Sequence, residues 1–506
     1  MIIKILTGGI IGIDGYAIAV ELDISSGMPS FDIVGLPDSS IKESKERVRA
    51  AIKNNFNDFP VKKITVNLAP ASTKKEGSYF DLPIAVALLV SMGKIKKENI
   101  ENTFFAGELS LDGYIRPLNG LLSIVHHLSK NGIKKFVVPY ENKEEAMLIQ
   151  NIEVIGIKHI SDLTHKDFNV NNIPHYENKK IYNETDKINL NFSDVKGQES
   201  VIRALTISAA GGHNILMIGP PGSGKTMMAK RLPSILPDLT IEESITTTKI
   251  YSVSGQIENR NNLVKIRPFR APHHTVSYAA LVGGGRIIKP GEISLSHNGI
   301  LFLDELPEFN RNVLEVLRQP LEDKFINISR ATANITYPAN FILVASMNPC
   351  PCGHYGADKC TCSTNEISKY LHKISGPLLD RIDIHIEASA IEYNDLKTKE
   401  KGKITSENIK KTVVNSRNIQ YNRYKTKKLN AELSAKEIEI YCELSDESNT
   451  ILKQAFETFG LSARAYHKIL KMARTISDLD ESENIETIHL VEAIQYRSLD
   501  RKYFNN

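Results

Sequence analysis

Residues 219–226 read GPPGSGKT and fit the pattern G-x-x-x-x-G-K-[ST]. Successive backbone N–H groups in such a loop point inward and cradle phosphate oxygens at a helix N-terminus. Gly219, Pro220, Pro221, Gly222, Ser223 and Gly224 would form the cradle. Lys225 would reach the β- and γ-phosphates of ATP, and Thr226 would offer its hydroxyl to Mg2+. The flanks agree: HNILMI (213–218) reads as a buried strand, and TMMAKRLPSIL (226–236) as a helix that Pro233 kinks or ends. Binding needs only this loop, whereas hydrolysis needs a metal carboxylate and a way to orient water. NGILFLDELPEF (298–309) is an apolar strand ending in two acids. Asp304 would hold Mg2+ through water and Glu305 would polarise the attacking water. An acidic pair alone is equally well a helix cap; the phosphate loop upstream favours chemistry.

A third apolar strand, FILVASMNP (341–349), ends in Asn348, whose amide would sense the γ-phosphate and help place the water. Arg381 in SGPLLDRIDIH sits where an exposed subunit edge would present it to a neighbour's transition state, and Arg464 in GLSARAY opens a helix that would reach phosphate. On spacing alone each is equally well an ordinary salt-bridge arginine. Directly after Asn348, Cys350, Cys352, Cys360 and Cys362 form C-x-C-x₇-C-x-C. Four thiolates so close would hold a structural Zn2+, with His354 an alternative ligand; reduced free thiols or a redox pair are the other readings.

These groups need a scaffold, and 506 residues suggest about three domains. The net charge is only +4, so a nucleic-acid surface must be a local patch. No apolar run approaches the ~20 residues that span a membrane. The opening MIIKILTGGIIGIDGYAIAV is broken by Gly and Asp and reads as a strand pair, not a signal peptide. The five cysteines do not resemble a secreted disulfide framework, so the expected compartment is the cytoplasm, with no membrane partner. Residues 1–163 alternate strand-like and helix-like segments, among them a helical SIKESKERVRAAIKNN (40–55). Residues 164–189 read as a polar linker, 190–391 carry the nucleotide motifs, and 392–506 are charged and helical.

The blocks KGQESVIRALTISAAGGHNILMIGPPGSGKT, RPFRAPHHTVS, KPGEISLSHNGILFLDELPEF, NPCPCG and SGPLLDRIDIH together resemble the ComM/YifB family of magnesium-chelatase-like AAA+ ATPases, nearly end to end. The resemblance implies an α/β multidomain chain: a Lon-protease-like N-terminal α+β domain, an AAA+ P-loop α/β core and a C-terminal helical lid. It implies a homo-hexamer hydrolysing ATP with Mg2+ between subunits to drive branch migration or helicase action on single-stranded or branched DNA during recombination and natural transformation. It makes Lys225 and Thr226 the Walker A pair, Asp304 and Glu305 Walker B, Asn348 sensor 1, Arg381 the trans finger and Arg464 sensor 2. The front domain departs from Lon: Ser78 sits one place early in GSYFDLP, and Leu122 stands where Lon has its lysine, so peptidase activity is not expected.

Two segments would line the pore of such a ring. Residues 259–290 contain Arg260, Lys265, Arg267, Arg270, Arg286 and Lys289 without an acid, and KFINISRATANITYP (324–338) reads as a hairpin with Arg330 near its tip. Phosphate contacts need only cations at the right radius. Solvated basic residues and structural roles for His273 and His274 are the bland alternatives. The competing function is a magnesium-chelatase-like AAA+ subunit that remodels a protein partner, a reading that Tyr278 keeps open.

Overall fold

The computed structural model describes residues 2–164, 190–257, 262–285, 288–330, 333–355, 359–390, 404–499 and 503–504. The expected linker therefore lies, apart from Thr164, outside the described residues, as do Arg260 and Arg286. The chain divides into two compact units, Met1–Thr185 with Ser244–Lys265, and Asp186–Glu243 with Ile266–Asn506.

In the first unit the strands are β1 (Ile3–Ile11), β2 (Asp14–Ser25), β3 (Ser30–Val34), β4 (Lys63–Ala69), β5 (Thr103–Phe105), β6 (Glu108–Leu109), β7 (Ile115–Arg116), β8 (Lys135–Pro139) and β9 (Glu153–Ile157). Seven of them form one mixed sheet in the order β3-β4-β2-β1-β5-β8-β9. The expected strand pair at the start is the β1–β2 hairpin, in register from Ile3↔Leu22 to Ile11↔Asp14. Its two-residue turn places Gly12 at φ 63°, a conformation that suits the strand twist. Alternate residues of each strand serve opposite faces: Ile3 and Ile5 join one apolar cluster, Leu6 and Ile10 pack on the other. The expected helix is Ser39–Phe56, capped by the Asp38 side chain, with Ile41, Val48, Ala51 and Ile52 buried along one stripe. Leu122 is fully buried in the second cluster, so the position of a dyad lysine is filled by core.

Residues 244–265 belong to this unit through polar contacts to distant parts of it. Ser252 Oγ donates to the buried Glu145 Oε1 (2.6 Å) and accepts from Gly120 N–H (2.8 Å). Lys249 Nζ lies 2.8 Å from Asp14 Oδ1.

The second unit contains β10 (Ile215–Ile218), β11 (Phe269–Arg270), β12 (Gly283–Gly284), β13 (Lys289–Pro290), β14 (Ile300–Leu303), β15 (Phe325–Arg330), β16 (Ala333–Pro338), β17 (Ile342–Met347) and β18 (Ile384–Glu387). Its sheet runs β11-β14-β17-β10-β18, and every neighbouring pair is parallel. ILMI, ILFL and ILVASM are wholly buried, as strands covered on both faces must be. In such sheets ligands bind beyond the carboxyl ends of the strands, where the loops after β10, β14 and β17 meet. Helices Ser406–Tyr424, Ala435–Tyr441, Asp446–Phe459, Ala463–Leu479 and Thr487–Gln495 complete the unit. Ile469, Met472 and Ala473 of the fourth share one apolar cluster with Ile215 and Met217 of β10.

Asp383 fastens those helices to the sheet. It accepts from Asn214 N–H (3.0 Å) and lies 2.8 Å from Lys468 Nζ and 3.6 Å from His213 Nδ1. Burial opposes its charge, yet Lys468 and His213 together hold the carboxyl well below the usual range. Asp383→Ala leaves Lys468 buried without its partner. The expected loss is about 3 kcal/mol, the low end for a broken buried pair, because burial already pushes the Lys468 ammonium towards losing its proton. Thermal unfolding measures it, and an unchanged midpoint would refute the role. A depressed carboxyl stabilises the fold fully above its ordinary value near pH ~4, and the contribution is lost as pH falls below that.

Candidate nucleotide site

Strand β10 delivers the chain into the loop Gly219–Gly224, and Lys225 opens the helix Lys225–Arg231. That helix gives way to a tighter turn, Leu232–Ile235, at Pro233, as its sequence predicts. The loop turns through Gly222 at φ 78° and Gly224 at φ 83°, which residues with a Cβ rarely adopt. Open space faces Gly222, with no atom within 4 Å of where a Cβ would stand. Gly219 N–H donates to Met347 O (3.2 Å), which ties the loop to the end of β17.

Lys225 Nζ donates to Gly219 O (2.7 Å) and Pro220 O (2.9 Å), and lies 3.5 Å from Asn348 Oδ1. Burial pushes its ammonium down, while Asp304 and Glu305 pull the other way. Thr226 Oγ1 donates to Asp304 Oδ2 at 2.7 Å. Asp304 Oδ1 accepts from the Ser346 hydroxyl and from Glu305 N–H (3.1 Å). Phosphate loop, first acid and terminal amide thus converge on one place, as the three strand ends require. Glu305 follows in the left-handed region at φ 54°, with its side chain 57% exposed. A non-glycine residue held there is strained and marks a position the surrounding structure over-determines.

A triphosphate fits this geometry: the cradle is open at Gly222 and has a buried ammonium at its base. Thr226 and Asp304 present the hard oxygen ligands that Mg2+ selects.

Three contributors escaped the sequence reading. Ser346 is a buried hydroxyl in an apolar strand, and that anomaly was its signal. His274 Nδ1 lies 3.5 Å from Glu305 Oε2, with the His273 and His274 rings 4.0 Å apart. The paired histidines of RAPHH were a visible signal without a visible target. Gln198 Nε2 donates to Ser389 O (2.8 Å) beside the loop, which no local pattern announces.

Neither arginine forms a hydrogen bond or ion pair with the loop among the described residues. Arg381 differs from the exposed edge expected of it. Its side chain is 10% exposed, paired with Glu322 Oε1 (2.7 Å), and donates to Pro377 O (2.7 Å) and Arg318 O (3.2 Å). A guanidinium has five donors, and here the ends of two short helices collect them. Arg464 is exposed on the first turn of Ala463–Leu479, behind the N-cap Ser462.

The basic stretch is less free than its composition suggests. Arg267 is buried against Glu243 (3.3 Å) and donates to Pro237 O (2.6 Å) and Asn298 O (2.8 Å). Arg270 grips Glu292 with two bonds of 2.6 Å. Lys289 is exposed on β13, which pairs with β12. The second segment is the expected hairpin, β15–β16, closing at Arg330↔Ala333. The two ribbons touch: Tyr337 Oη donates to Ile288 O (2.9 Å), and a Cβ on Gly283 would meet Ile328 Cδ1 at 2.9 Å as well as Lys289 O at 2.4 Å. Cys350, Cys352, Cys360 and Cys362 gather with all four sulfurs within 4.8 Å. No helix among the described residues is long and apolar enough to cross a membrane.

Three family models cover most of the chain: "Subunit ChlI of Mg-chelatase" over residues 20–142, "Magnesium chelatase, subunit ChlI" over 191–396, and "Magnesium chelatase, subunit ChlI C-terminal" over 403–497. Competence protein ComM of Haemophilus influenzae is 43% identical over 97% of this chain and 96% of its own. The YifB protein of Escherichia coli is 42% identical over 98% and 97%. Magnesium-chelatase subunit ChlI of Guillardia theta is 25% identical over 31% and 51%. The extent of these matches, together with the phosphate loop, paired acids and terminal amide that meet at the strand ends, places this chain in the ComM/YifB family of magnesium-chelatase-like AAA+ proteins.

Proposed function

We propose that the protein is an ATP-hydrolysing motor that acts on DNA, as a homo-hexamer in the cytoplasm, driving branch migration or helicase action in recombination during natural transformation. The division of labour follows the site's geometry. The loop Gly219–Thr226 binds the nucleotide, with Lys225 against its phosphates. Thr226 and Asp304 would hold Mg2+, which would supply charge neutralisation at the phosphates. Glu305 takes up the proton of the attacking water, Asn348 orients that water, and Arg381 and Arg464 stabilise transition-state charge. In this reading residues 1–163 are a Lon-like domain without peptidase activity, 190–391 the AAA+ core, and 392–506 a helical lid. The four cysteines hold a structural Zn2+.

The observation that carries the DNA reading is the junction of the two ribbons. The Tyr337–Ile288 hydrogen bond joins β13, which carries Lys289, to the β15–β16 hairpin, whose closing pair contains Arg330, and both cations lie away from the phosphate loop in sequence. Such cations bind phosphate without reading sequence.

The test is ATP turnover with and without forked or four-way DNA, together with the salt dependence of binding. DNA should stimulate hydrolysis, and affinity should fall steeply with salt as condensed counterions return. Lys289→Ala and Arg330→Ala should each flatten that slope by about one counterion, with DNA-independent hydrolysis unchanged. Hydrolysis indifferent to DNA, with no DNA binding at low salt, would refute the motor. It would favour a subunit that remodels a protein, for which the exposed Tyr278 on the same insertion is the candidate contact.

A further inference from the structure

The sulfur geometry is that of a metal knuckle. Zn–S bonds of about 2.3 Å in a tetrahedron put sulfurs about 3.8 Å apart. Here the separations are 3.4 Å for Cys350–Cys352, 3.9 Å for Cys350–Cys360 and 3.7 Å for Cys352–Cys360. Cys352 N–H points at Cys362 Sγ (3.4 Å), a bond that favours an anionic sulfur. None of the four is in a disulfide.

More informative is what the knuckle is built into. Its first ligand stands two residues after Asn348, at the end of β17. Its last ligand, Cys362, is followed at once by Ser363, which caps the helix Thr364–Leu371 in a reciprocal capping box with Glu366. Near the end of that helix the Tyr370 hydroxyl lies close to the backbone N–H of Asn348. The chain therefore leaves Asn348, passes through the thiols and a capped helix, and comes back beside Asn348 at Tyr370. Between the cysteines, Gly353 N–H closes a turn onto Cys350 O (3.0 Å). At φ 82° Gly353 lies against the phosphate loop so closely that a Cβ would come within 2.6 Å of Pro221 Cδ.

We propose that this four-thiolate zinc site is a brace for ATP hydrolysis: it positions Asn348 and supports the phosphate loop at Pro221, so that loss of the metal slows turnover. The inference rests on the proposed ATP hydrolysis. Metal binding exchanges thiol protons for one Zn2+ with no change of oxidation state. The cysteines act by position, not by contact with the nucleotide.

The experiment starts from full-length protein purified without added metal. Elemental analysis should find about one zinc per chain, with the four thiols protected from a thiol reagent. Stripping the metal with an organomercurial, then removing the reagent, should lower kcat at least tenfold, and zinc added back should restore it. Circular dichroism reports whether the fold survives. A second variant avoids the ligands altogether: Gly353→Ala should keep its zinc yet bind a fluorescent ATP analogue several-fold more weakly, because the new methyl presses on Pro221. Protein that lacks zinc and titrates four free thiols would overturn the proposal, as would stripped protein and Gly353→Ala that bind and hydrolyse ATP as the wild type does. Wild-type protein that neither binds nor hydrolyses ATP would overturn the proposed function itself, whatever its zinc content.

Discussion

Glu305→Gln should bind ATP about as tightly as the wild type and lose turnover by roughly 10²–10⁴-fold, the range that a positioned general base contributes. The geometry separates the two effects. Binding groups, namely the loop, Lys225 and the Thr226–Asp304 pair, form one connected set, with Thr226 Oγ1 and Asp304 Oδ2 2.7 Å apart. Glu305 stands outside that set, touching it only through its own N–H on Asp304, while its carboxylate faces His274. The amide of Gln preserves shape and removes only the capacity to take a proton. Lys225→Ala should show the opposite pattern, because it deletes the cation that would face the phosphates, so affinity itself falls. Equilibrium binding of a fluorescent ATP analogue together with steady-state turnover distinguishes the two. A Glu305→Gln protein turning over at the wild-type rate would mean that another residue activates the water.

Much of this site was legible in the sequence because its chemistry is local and its scaffold is buried. The strands ILMI, ILFL and ILVASM are parallel and covered on both faces, so they read as continuous apolar runs ending in a functional residue. The hairpin at 325–338 was legible from alternation, and the helix at 40–55 from its stripe. What escaped depends on partners far away in the chain. Arg267 and Arg270 look like free cations within an acid-free stretch, but Glu243, well upstream of it, and Glu292, just past its end, neutralise them. Residues 244–265 lie inside the nucleotide segment by sequence, yet Ser252 and Lys249 find their partners at Glu145 and Asp14. His274 and Ser346 were in plain view without their acidic targets. Periodicity reports which face of an element is covered, and says nothing about which side chain across the fold completes a hydrogen bond.

Arg381→Ala should lower turnover by about 10³-fold if the residue supplies transition-state charge to a neighbouring subunit, the lower end of what such a finger contributes. The structure sets a sharper condition on this role than the sequence did. Within its own chain the guanidinium is engaged by Glu322 at 2.7 Å and by two carbonyls, so acting in trans requires it to exchange Glu322 for the neighbour's phosphate. That exchange is between two anions and is electrostatically feasible, since Glu322 is half exposed and its pair with Arg381 is partly screened. Mixed assemblies decide the matter. Subunits carrying Arg381→Ala retain an intact loop, and those carrying Lys225→Ala retain an intact finger. When the two are combined, interfaces that join one of each should recover hydrolysis that neither variant shows alone. A finger acting only within its own chain, or an arginine that merely clamps Glu322, predicts no recovery. The clamp further predicts a lowered unfolding temperature for Arg381→Ala, because the loss would then be one of folding and not of charge at the reaction. Absence of recovery in assemblies whose mixing is shown independently, for instance by subunits carrying different tags, would remove Arg381 from the reaction.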